Sequence, residues 1–210
     1  MKKLLIIGVI VVVGVGVYVW SRESNQTSNS DSALIDKVPT ANSNQSMPML
    51  VATNADVLLK LKDDVSFAKV SQPTAISTGA EIKTSSTGKA KLLYPDGTIT
   101  AIQENSEIYI DFLAETGRQS KIKIVTGGVL SKIDRALGTD DSYEIETENM
   151  VGSVRGTIFA TETKNGESTI YGIKDKVHIQ VTDPKSRIPI DGATADISSQ
   201  EKIAFRKSTI

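Results

Sequence analysis

The chain contains no cysteine. That excludes disulfide staples and thiolate metal sites, and it leaves the redox compartment open. It contains one histidine, His178, with neither a second histidine nor a cysteine to complete a zinc site. Excess charge of either sign is also missing. A formal net charge of -1 over 210 residues gives no long-range attraction to nucleic acid or to an acidic membrane surface. No Gly-x-Ser-x-Gly elbow and no glycine-rich phosphate loop opening onto a helix occur anywhere. Asp140, Asp141, Ser142 and Glu144 lack the alternating ligands and central glycine of a calcium loop and read as a solvated turn. These absences argue against an enzyme, and no metal or cofactor is expected.

What is present begins at the N-terminus. Met1, Lys2 and Lys3 precede an unbroken run of Leu, Ile, Val, Gly, Tyr and Trp from Leu4 to Trp20. As an α-helix this run would span roughly 25 Å, close to a bilayer core. Tyr18 and Trp20 fall where amphipathic rings favour the headgroup layer, and the two lysines place the N-terminus in the cytoplasm. Residues 1–20 are therefore expected to form a single-pass transmembrane helix contacting membrane lipid, with the remainder exported to the periplasm or cell surface. A cleaved signal peptide is the competing reading, with Val19-Trp20-Ser21 a tolerable cleavage site. Residues 21–50 are dominated by Ser, Asn, Gln, Thr and Asp and read as a disordered tether.

Over residues 51–210 the hydrophobic period is two. Ile108, Ile110 and Phe112 alternate with Glu107, Tyr109 and Asp111, and Ile122 and Ile124 with Lys121 and Lys123. Tyr143 and Ile145 alternate with Glu144 and Glu146, and Val177, Ile179 and Val181 with His178 and Gln180. Each pattern is that of a half-buried strand. Val57, Leu59 and Leu61 fit the same template, although Ala55 to Lys62 could form a short helix. Pro95-Asp96-Gly97 and Asn165-Gly166 are strong hairpin signals, and Thr126-Gly127-Gly128 and Ser86-Thr87-Gly88 weaker ones. The class is all-β, antiparallel and strand-rich. Ile82-Lys83-Thr84 and Ile145-Glu146-Thr147, each followed by a glycine and a strand, form a faint internal echo. The simpler reading is that one strand-turn-strand unit resembles another.

Specific blocks then recur in order. They are Gly79-Ala80-Glu81-Ile82-Lys83-Thr84, Gly88-Lys89-Ala90-Lys91-Leu92 and Tyr94-Pro95-Asp96-Gly97-Thr98. Asn105-Ser106 with Ile108 and Ile110 follows, then Lys123-Ile124-Val125 through Gly128-Val129, and finally Val154-Arg155-Gly156-Thr157 with Phe159. Val177 to Val181 and Gln200 to Phe205 close the series. In order and spacing, over about residues 56 to 205, this set resembles the FecR-like domain, a cell-envelope sensing and regulatory module. The resemblance implies motif-bearing structural roles for Gly79, Thr84, Gly88, Asp96, Gly97, Gly128, Val154 and Phe159. Two departures stand out. Ile173-Lys174-Asp175-Lys176 replaces a glycine turn before a late strand, and only Met1 to Lys3 precede the apolar run. The anti-sigma role of FecR itself is therefore not expected to carry over.

Arg155 is the residue singled out, because a bare charge inside an apolar, β-branched stretch needs a fixed partner or a site. Its first reading is structural, a guanidinium fastening neighbouring loops. The second is contact with an anionic ligand or partner, together with Gly156 and Thr157. The expected function is non-enzymatic. It is recognition of a protein or envelope-polymer partner in sensing or regulatory signalling, without nucleic acid, with a structural or adhesive surface module as the alternative. Edge strands offer unpaired backbone groups to which such a partner could add a strand.

Overall fold

The computed structural model describes residues 7–13, 16–24, 47–54, 56–114, 119–133, 142–154, 158–183, 186 and 188–208. They form eighteen hydrogen-bonded β-strands that β11 joins into a front and a back sheet around one core. The front sheet runs β5 (Ala68–Lys69), β4 (Val57–Lys60), β7 (Glu81–Thr84), β10 (Glu107–Leu113) and the first part of β11 (Gln119–Lys132). It continues through β12 (Ser142–Glu146), β13 (Met150–Val154), β16 (Val177–Thr182) and β17 (Pro189–Ile197). The back sheet runs β6 (Thr74–Ala75), β3 (Met49–Ala52), β8 (Ala90–Leu93), β9 (Ile99–Ile102) and the last part of β11. Beyond it lie β14 (Ile158–Lys164), β15 (Glu167–Lys174), β18 (Glu201–Ser208), β2 (Gly16–Ser24) and β1 (Ile7–Val13). Neighbouring strands are antiparallel except β11 and β12, which are parallel.

The inward positions of the alternating runs build the core. Ile82, Ile108, Ile110, Ile122, Ile124, Ile145, Val177 and Ile179 are all buried. Residues 57–60 take the strand alternative, with Val57 and Leu59 inward and Leu58 outward. Two side chains break the alternation. A register shift between Ile110 and Phe112 turns Phe112 outward to 45% exposure, and Glu146 is buried although it shares the wet face with Glu144.

Thr126-Gly127-Gly128, read from sequence as a weak hairpin signal, lies inside β11 and is not a turn. Here the strand leaves β10 and β12 and passes to β9 and β14, so one strand serves both sheets. Gly127 has φ +83°, and a Cβ there would lie 2.2 Å from Ser106 Oγ and 2.5 Å from its Cα. Only glycine fits that approach. Asn165-Gly166 and Pro95-Asp96-Gly97 do close hairpins, β14 to β15 and β8 to β9. The glycine missing before β16 is replaced by Asp175 at φ 58°, a conformation that aspartate tolerates better than most residues.

The topology is repeated. In β4–β11, β4 pairs β7, β7 pairs β10, β10 pairs β11, β8 pairs β9, and β9 pairs β11. In β12–β18 the same scheme holds: β12 with β13, β13 with β16, β16 with β17, β14 with β15, and β15 with β18. The register matches as well. The row Leu59, Ile82, Ile108, Ile124 in the first unit corresponds to Ile145, Gly152, Ile179, Ala195 in the second. The faint sequence echo was therefore displaced by one strand, since β7 corresponds to β13, whereas Ile145 lies on β12.

The expected N-terminal helix is not what the structure has. Residues 7–13 and 16–24 form an antiparallel hairpin whose second strand pairs with β18 from Glu201↔Ser24 to Ser208↔Val17. An all-apolar run carries no period to separate helix from strand, and Ile and Val favour the strand where a sheet edge is within reach. Ser21 to Ser24, assigned from sequence to the tether, belong to that strand. Among the described residues no helix is long and apolar enough to cross a membrane.

Candidate functional site

The outer face of the front sheet is a ladder of polar rows. One row runs Glu81, Tyr109, Lys123, Glu146, Val151, Gln180, Thr194, and beside it lie Lys121, Glu144, Ser153, His178, Asp196. Between β11 and β17 this face sinks into a groove of about 280 Å³ lined by Lys121, Glu144, Glu146, Val151, Ser153, Gln180 and Pro189. Its floor is Glu146, whose Oε2 lies 2.9 Å from the Lys121 ammonium, and Asp111 Oδ2 lies 3.5 Å from the same nitrogen. A carboxylate this deep holds its charge only with a cation against it. Gln180 closes one wall by donating from Nε2 to the carbonyls of Ile190, at 2.9 Å, and Ala193, at 3.3 Å, which pins β17 to β16.

The FecR-like motif residues divide by role. Thr84 Oγ1 donates to the Gln103 carbonyl at 2.7 Å and accepts from the Ser106 amide at 2.9 Å, fastening β7 to the loop before β10. Gly79 turns at φ +90° and donates its amide to Ile110. Gly88 donates to Ser85 in the crossing from β7 to β8. Asp96 Oδ1 accepts from the Thr98 amide at 2.8 Å, and Gly97 takes φ 86°. The Gly128 amide donates to Ser106 Oγ at 3.0 Å, next to the β11 bend. Phe159 is fully buried against Tyr143, ring centroids 6.2 Å apart. Val154 ends β13, opposite Tyr143 and Val177.

Arg155, Gly156 and Thr157 lie outside the described residues, as do Asp140 and Asp141. The strand leading to Arg155 ends beside the groove, because Ser153 lines it. His178 stands on the exposed face, and its Nδ1 lies 2.7 Å from Asp196 Oδ1. Among the described residues no group of His, Asp and Glu is set to hold a metal ion.

Between the sheets lies a second polar cluster that the alternating patterns did not reveal. The Tyr143 hydroxyl is hydrogen-bonded to Thr100 Oγ1 and to Ser131 Oγ, the latter at 2.9 Å, and Tyr94 Oη lies 3.1 Å from Ser120 Oγ. The two rings meet edge to face with centroids 6.0 Å apart. Burial pushes both phenols above the ordinary tyrosine value, Tyr94 well above it, with the neighbouring Tyr143 adding to the shift of Tyr94. Through these hydrogen bonds they tie β9, β11 and β12 together.

The chain is thus a two-sheet all-β protein with a polar outer groove. Residues 80–178 match the FecR protein family. No curated protein sequence matches the chain significantly. Two crystal structures of a candidate anti-sigma factor from Parabacteroides distasonis ATCC 8503, at 1.65 and 2.50 Å resolution, are similar to it at 13% identity and a TM-score of 0.47. The similarity covers 61% of this chain and 59% of that one.

Proposed function

We propose that this protein is a non-enzymatic, membrane-tethered regulatory domain that recognises a protein or polymer of the cell envelope on the extracytoplasmic side. The FecR match over residues 80–178 carries the reading. Its family is one of regulatory proteins, and the groove offers hydrogen-bonding and ionic groups without a nucleophile–base pair. The tether is the apolar run Leu4–Trp20 behind Lys2 and Lys3. In a bilayer its backbone must be satisfied within the segment, which would draw it away from β18. Recognition proceeds by strand addition to a sheet edge, and Arg155, Gly156 and Thr157, two to four residues beyond the groove-lining Ser153, contact the partner.

The test is crosslinking in intact cells followed by recovery of the tagged full-length chain, with an Arg155→Ala version alongside and membrane fractionation of both. Recovery of one membrane or regulatory protein is the expected result. Its loss in a folded Arg155→Ala chain would assign Arg155 to contact. Recovery of wall polymer alone would replace signalling with a structural or adhesive role, and a soluble full-length chain would remove the tether.

A further inference from the structure

The repeat shows what the C-terminal end of the front sheet is built to receive. In the first unit, β11 ends the front-sheet rows, and its outer edge carries β12 in parallel register, Lys121 opposite Glu144 and Lys123 opposite Glu146. A basic strand thus receives an acidic one. In the second unit the same topological place belongs to β17, whose register among the described residues is with β16, while β18 is in register with β15 and β2. The other edge of β17 therefore occupies the position from which β11 grips β12.

The charge on that edge is reversed. Thr194 stands opposite Gln180 where Lys123 stands opposite Tyr109. Both strand pairs then shift register, and beyond the shift the counterpart of Lys121 is the stretch from Pro189 to Gly192, whose one charge is Asp191. Residues 189–197 contain Asp191 and Asp196 and no lysine or arginine, and Pro189, Asp191, Gly192, Thr194 and Asp196 are all exposed. A Cβ at Gly192 would meet nothing within 4 Å, so the sheet face is open there. Pairing with β17 of a second copy would bring two acidic strands together, which favours a basic partner instead.

We infer that the edge of β17 left unpaired among the described residues docks an extended basic segment of a partner protein, parallel to β17 and in the place β12 takes on β11. This deepens the recognition function proposed above and rests on it for its biological meaning. The segment alternates lysine or arginine with β-branched or aromatic residues. Backbone hydrogen bonds to β17 supply its attachment, and the aspartates select its sign.

The probe is a peptide with the β12 sequence from Ser142 to Thr147 carrying lysine in place of both glutamates, with the unaltered acidic peptide as its control. Binding to the full-length chain is followed by amide chemical shifts and hydrogen exchange along residues 189–197. The lysine peptide should bind tighter by roughly two- to thirtyfold, the combined effect of two cross-strand charge pairs. In an Asp191→Lys/Asp196→Lys chain the preference should reverse. Equal affinities, shifts confined to another strand, or no saturable binding would overturn the assignment. Cellular crosslinking separates it from the regulatory reading. A charge-reversed chain that keeps the wild-type partner sinks only the β17 edge. A wild-type chain that captures no partner sinks the regulatory reading, while the peptide preference still decides the edge.

Discussion

The two repeated units solve the same crossing between sheets in different ways. In the first, β11 runs unbroken from front to back through Gly127 and Gly128. In the second, the chain ends β17 at Ile197, turns through Ser198 to Gln200 and starts β18. Each crossing is packed against a glycine-dependent contact. Gly127 sits on Ser106, and a Cβ on Gly172 would lie 2.3 Å from the Ser198 carbonyl oxygen. A continuous strand has no slack to absorb a displaced atom, whereas a turn can shift. The comparison teaches that equal topology does not imply equal tolerance.

Substitution at the crossings should therefore give the largest effect. Gly127→Ala combines a positive φ with overlap on backbone atoms and should cost about 3 kcal/mol or more in denaturant unfolding. Gly172→Ala should cost less, about 1–3 kcal/mol, because the turn at 198–200 yields. Gly166→Ala, at φ +73° with open space around it, is the calibrating case at about 1 kcal/mol. If Gly172→Ala matched or exceeded Gly127→Ala, the distinction between the crossings would fail.

The tie between the units comes next. Tyr143 of the second unit reaches Thr100 and Ser131 of the first, so Tyr143→Phe should lose about 1–2 kcal/mol and leave the ring packing intact. The same tyrosines make the protein sensitive to alkali. Their folded values are raised, so this contribution is fully present below the unfolded value near 10 and is lost as pH rises through the folded values. Above pH 10 unfolding free energy should fall by up to about 1.4 kcal/mol per tyrosine per pH unit. A Tyr94→Phe/Tyr143→Phe chain should lose that slope, and an unchanged slope would show that other groups govern it.

The smallest effect is expected on the exposed rim of the second unit. His178→Gln breaks the contact with Asp196 between side chains that are each more than half exposed, and thermal unfolding should move by less than about 0.5 kcal/mol. A larger loss would mean that the β16–β17 rim carries more of the second unit's stability than its exposure suggests.

Much of the front sheet was legible before any coordinates. Alternation placed Ile108, Ile122, Tyr143 and Val177 on their strands because a half-buried strand must alternate, and Asn165-Gly166 marked its hairpin because the turn demands positive φ. The candidate groove was not legible. Lys121 and Glu146 read as two wet side chains, and only the parallel register of β11 with β12 brings their charges together over a buried floor. The structure has strands at 7–13 and 16–24 where a helix was expected, because a sequence apolar on every face has no period to separate the two.

By itself the sequence determined the all-β class, the strand faces, the tight hairpins and the FecR-like motif order, since period, turn chemistry and motif spacing are local properties. Tertiary structure decided the repeat, the passage of β11 from one sheet to the other, the burial of Glu146, the outward swing of Phe112 and the pairing of the acidic β17 with β16. Each of these depends on which distant strand lies alongside. Strand pairing joins backbone groups that are the same in every residue, so the choice of neighbour comes from the packing of the whole domain.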